Sequence, residues 1–179
     1  MAEKKVIVIF SDAVTVDPDS KFGKKSAIFA QADVNGLEAL VATYGKSAVT
    51  CDEAVKAVET SEACVYTKDS NLDAVLDNVD RKTLVVVVSS KGVAFWGFGV
   101  NNKAGAVSRA INAQDIYVTI ANIVDLPITS ECTGAILYQM MKDPNLKISE
   151  INKLKEAISR MESVIARDNR EPWDKHDCA

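Results

Sequence analysis

Two apolar, β-branched runs constrain this chain more than any other feature: KVIVIFS at Lys5–Ser11 and TLVVVV at Thr83–Val88. Side chains of a strand alternate between its two faces, so a run that is apolar throughout demands burial on both. That is the condition of a central strand in a parallel sheet covered by helices. Helical periodicity fills much of the remaining chain. Leu37, Leu40, Val41 and Tyr44 recur at helical spacing before Gly45, and Leu72, Val75, Leu76 and Val79 repeat the pattern behind Ser70, a candidate cap. Thr50 is placed to cap a helix over 52–59. Residues 64–67 and 93–98 read as further strands, 114–124 as a helix stopped by Pro127, and 135–141 as a helix stopped by Asp143-Pro144. Ala13–Lys25, broken by Pro18 and Gly23, reads as a long loop. The alternation predicts a three-layer α/β fold with a mainly parallel sheet flanked by helices.

At the far end, Ile148, Ile151, Leu154, Ile158, Met161 and Ile165 form a near-heptad stripe on a helix predicted over 148–167, with Ser149 as its cap. The expected cover for this face is the chain's own domain, with a seam to a second copy or a protein partner as the alternative. With 179 residues and 47% apolar composition, one core is expected, giving a single domain over 1–167 and a polar tail over 168–179.

Charge and rare residues narrow the chemistry. Lys and Arg number 21 against 25 Asp and Glu, a net charge of −4, so no positive field exists to neutralise a phosphate backbone, and nucleic acid is not an expected partner. Zinc centres and Ser-His or Cys-His catalysis draw on imidazole, yet His176 is the only histidine. Cys51, Cys64, Cys132 and Cys178 lie far apart without a C-x-x-C pair, as reduced thiols of a cytoplasmic protein would. No apolar run reaches the length of a membrane span.

The stretch DIYVTIANIVDLPITSECTGAILYQMMK at 115–142 resembles the C-terminal pattern of the alkaline phosphatase superfamily in its phosphodiesterase, sulfatase and cofactor-independent phosphoglycerate mutase branches. Asp115, Ile116, Thr119, Ile120, Leu126, Pro127, Gly134 and Leu137 stand at the matching spacing, with Val118 and Asp125 in place of the usual proline and second glycine. LVVVVSSKG at 84–92 is similar to that family's strand ending in S-D-H-G, and VIVIFSDAV to the strand that delivers a metal-binding aspartate, here Asp12. VNGLEALVATYG and VAFWGFGV also resemble family segments.

The resemblance implies an alkaline phosphatase-like fold. It also implies that the family's two-metal chemistry has been removed, because Ser90 and Lys91 stand where an aspartate and a histidine belong and a lysine repels a cation. The chain is less than half the usual family length, which implies a reduced substrate region.

Two functional expectations follow. In the first, the chain is a non-catalytic domain acting by binding or association, with no cofactor. In the second, it is a small phosphoester hydrolase or phosphate-transfer enzyme acting on a phosphorylated small molecule. Asp12 and Thr50 would be its catalytic residues, and Ser47, Cys51, Ser90 and Lys91 its anion-binding residues; Asp12, with Asp17 and Asp19 nearby in sequence, would hold a Mg or Mn ion.

Overall fold

The computed structural model describes residues 3–168. The elements run β1 (Lys5–Phe10), β2 (Ala27–Phe29), β3 (Ala32–Asp33), α1 (Leu37–Tyr44), β4 (Lys46–Ala48), α2 (Cys51–Thr60), β5 (Cys64–Thr67), α3 (Leu72–Leu76), β6 (Thr83–Ser89), β7 (Gly92–Gly97), β8 (Gly105–Ala106), β9 (Ile111–Asn112), α4 (Ala113–Val124) and α5 (Leu146–Asp168). They fall into two compact units, 1–142 and 143–179, where the sequence predicts one domain through residue 167. His176, Cys178 and the predicted tail beyond Asp168 lie outside the described residues.

The first unit is built on a seven-stranded sheet of order β4-β5-β1-β6-β7-β2-β8. β1 lies between β5 and β6, parallel to both, and β4 is parallel to β5. β7 returns antiparallel beside β6 and pairs antiparallel with β2, so the sheet is mixed but mainly parallel. Both apolar runs therefore occupy interior positions.

Alternation divides their side chains between two cores. Val6, Val8, Leu84, Val86 and Val88 pack with Leu37 and Val41 of α1 and Ile116 and Ile120 of α4. Ile7, Ile9, Val85 and Val87 pack with Ala54, Val55 and Val58 of α2 and Val75 of α3. Helices on both faces make the three layers. Phe95 of β7 meets Phe29 of β2 edge to face at 5.8 Å in the first core, and Trp96 joins the second.

Several local expectations are corrected. α3 stops at Leu76 and follows Asn71, without a side-chain cap from Ser70. α5 starts at Leu146, ahead of Ser149. Residues 135–141 hold only a 3-10 turn at Tyr138–Met140. The Asp115 carboxylate takes the N–H of Ala135 at 2.8 Å and the buried Thr119 hydroxyl takes that of Leu137 at 3.0 Å, which ties the start of the segment to α4. Its far end pairs with Val100 instead of continuing as a helix: the Met140 carbonyl accepts the Asn101 N–H at 2.8 Å, and the Lys142 N–H donates to the Gly99 carbonyl at 2.9 Å. Gly134 is required here, since a Cβ would collide with the backbone carbonyl of Gln114.

In the second unit, α5 is a 23-residue helix. Ile148, Ile151, Leu154, Ile158, Met161, Val164 and Ile165 along it are 45% to 64% exposed.

Candidate functional site

Open α/β sheets bind ligands at the carboxyl ends of their parallel strands. Asp12 follows β1 at that edge, and Ser90 and Lys91 are the two-residue tip of the β6–β7 hairpin next to it. The Ser89 hydroxyl holds the tip by donating to the Gly92 carbonyl at 3.1 Å and accepting from the Lys91 N–H at 3.3 Å. Gly92 takes φ +142°, and a Cβ there would meet the Phe29 carbonyl oxygen at 2.6 Å. The tip presents the Ser90 N–H to Asp12 Oδ1 at 2.6 Å. That N–H, then the Ser90 hydroxyl, with help from the Lys91 charge, holds the Asp12 carboxyl below its usual range. Asp12, Ser90 and Lys91 are thus brought together.

Ser47 and Thr50 stand apart from them at β4, two strand positions or roughly 10 Å from β1. Ser47 is exposed on the edge strand. Thr50 is the N-cap of α2, its side chain accepting the Glu53 N–H at 3.1 Å. The anion position at this helix start is already filled by the protein. Asp69, just past β5, accepts the Cys51 N–H at 2.8 Å, and that bond leads in holding its carboxyl below the usual range. The Cys51 thiol is fully buried and faces the Asp69 carbonyl. Burial first, then the Asp69 charge, push it up to about 12, so it is a protonated thiol and not a nucleophile.

Asp69 went unnoticed in the sequence. Its only signal is a Thr-x-Asp pattern directly after a strand: the Thr67 hydroxyl accepts the Asp69 N–H at 3.2 Å.

Asp17 does not join Asp12. Its Oδ1 accepts the Asp19 N–H at 2.9 Å, and its carbonyl accepts the Ser20 hydroxyl at 2.7 Å, so both aspartates belong to a turn. Among the described residues, no three His, Cys, Asp or Glu side chains gather to hold a metal. A pair of divalent ions does not fit the strand edge, where one carboxylate is bonded to Ser90 and faces a lysine.

Asp115, one of the residues on which the sequence resemblance rests, makes structural bonds. Asp115 and Asn112 form a reciprocal capping box at the start of α4, while the other Asp115 oxygen binds Ala135. Beside them lies a cleft of about 210 Å3 between α1, α4 and residues 129–132. Its wall includes Tyr44 stacked on Tyr117 at 6.4 Å. The Tyr117 hydroxyl donates to the Pro127 carbonyl at 2.9 Å and Gln114 Oε1 accepts from Thr133, so these polar groups are engaged internally and the ring faces remain.

No helix among the described residues is long and apolar enough to cross a membrane. No family model, no curated protein and no solved structure matches the chain.

Proposed function

We propose that the chain is a non-catalytic, alkaline phosphatase-like α/β domain that acts by association. The observation that carries this reading is the engagement of the polar groups at the strand edge with one another. Asp69 takes the α2 N–H that a bound anion would need, and Asp12 takes the N–H of Ser90. Thr50 spends its side-chain oxygen as a cap, and Cys51 stays protonated. A hydrolase needs a nucleophile activated by a base or a cation; here the Thr50 oxygen caps α2, and burial beside Asp69 disfavours the thiolate of Cys51. The reading requires no cofactor. It also takes the chain as cytoplasmic, supported by the unpaired thiols of Cys51, Cys64 and Cys132.

The test is hydrolysis of phosphomonoester and phosphodiester substrates with Mg²⁺, Mn²⁺ or Zn²⁺ added, alongside metal analysis of the purified chain. The expected result is no turnover above an Asp12→Asn variant. Turnover that this substitution abolishes would favour the alternative, a phosphoester enzyme with Asp12 and Thr50 as its catalytic residues and Ser90 and Lys91 among those that contact the anion.

A further inference from the structure

We infer that α5 is one strand of a parallel two-stranded coiled coil formed with a second copy of this chain. The inference rests on the proposal that the chain acts by association, and it names the partner.

The exposed residues of α5 fall into one heptad frame. Ile151, Ile158 and Ile165 occupy the a positions, and Leu154 and Met161 the d positions between them. β-branched residues at a with leucine at d favour two parallel strands over larger bundles. Val164 at g and Ile148 at e widen the seam at its two ends. The outward b, c and f positions are Asn152, Lys153, Glu156, Ser159, Arg160 and Ser163. Glu156 and Arg160 pair along that face at 3.4 Å, as residues of a solvated surface do.

Charge complementarity supports a second copy as the occupant, and the a and d residues favour the parallel direction. In a parallel pair, each g residue faces the e residue five positions later on the partner. Glu150 at g then meets Lys155, and the next such pair, Ala157 with Glu162, sets no like charges together. A second copy makes the Glu150–Lys155 contact twice. A lipid surface fits less well, because Glu150, Glu156 and Glu162 are interspersed with Lys147, Lys153, Lys155, Arg160 and Arg167 and leave no strongly basic face. The helix is about 34 Å long, which gives the seam three a positions.

The test uses the full chain and light scattering across a concentration series. The expected mass is twice the 19.3 kDa of one chain. Leu154→Asp with Ile158→Asp is expected to give a monomer that keeps the wild-type melting temperature. Glu150→Lys alone is expected to raise the dimer dissociation constant roughly two- to five-fold, and adding Lys155→Glu is expected to restore it. A monomeric wild type overturns the inference, whether it stays free or sediments with phosphatidylserine vesicles. A double Asp variant that remains dimeric places the seam elsewhere and also overturns it. If the charge swap fails to restore affinity, the strands are antiparallel, since Lys155→Glu would then face Glu162, and the parallel arrangement is wrong. A monomer without hydrolytic activity ends this inference alone, whereas Asp12-dependent turnover ends the proposed function whatever the mass.

Discussion

Replacing Thr119 with valine removes one oxygen and almost no volume, and it tests whether the Thr119 hydroxyl holds residues 135–137 against α4. The Thr119 hydroxyl is fully buried, donates to the Asp115 carbonyl at 2.7 Å and accepts the Leu137 N–H at 3.0 Å. Losing the donation costs little, because a helix carbonyl keeps its own backbone donor. Losing the acceptor strands an N–H on Leu137, itself fully buried, and an unsatisfied buried donor costs about 1–3 kcal/mol. The ratio of folded to unfolded protein should fall by roughly 5- to 150-fold.

Urea unfolding followed by circular dichroism reads this as a lower midpoint at unchanged slope. Amide exchange gives a second readout at the affected atom, with Leu137 losing protection relative to the β1 and β6 amides. A Thr119→Val variant within about 0.5 kcal/mol of wild type, with Leu137 still protected, would refute the argument.

Thiol labelling of the native chain near pH 8, read by peptide mapping, should modify Cys132 while sparing Cys51 and Cys64, both buried and both pushed up to about 12; rapid modification of Cys51 would contradict its burial against Asp69. Acid should destabilise the first unit, because a carboxyl lowered in the folded state contributes stability above its ordinary value of 3.8 and loses it as pH falls through the lower folded value. Asp69→Asn should flatten that loss below about pH 4, and an unchanged acid slope would mean that its bond to the Cys51 N–H carries no linkage. The hydrolysis assay with Asp12→Asn and the mass of the Leu154→Asp, Ile158→Asp variant complete the set.

The sequence by itself determined the parts of this protein whose cause is local or periodic. A run such as TLVVVV has no polar face to show to water, so an interior strand between two helical layers was legible at once, and β6 is buried throughout. The 3.6-residue repeat likewise located α1, and Thr50 marked the start of α2. Tertiary structure alone decided what depended on partners distant in the chain. Nothing near 135–141 announces that its end will pair with Val100, so a helix-like pattern became an irregular segment with one 3-10 turn.

The candidate site divides in the same way. Asp12 and Lys91 were visible at the ends of two apolar runs. That Asp69, eighteen positions beyond Cys51, closes the α2 N-terminus follows only from β4 lying beside β5. The stripe on α5 was equally plain as a period, but the apolar period by itself specifies that a face needs cover and not what covers it; the proposed pairing rests on the residues that flank it as well.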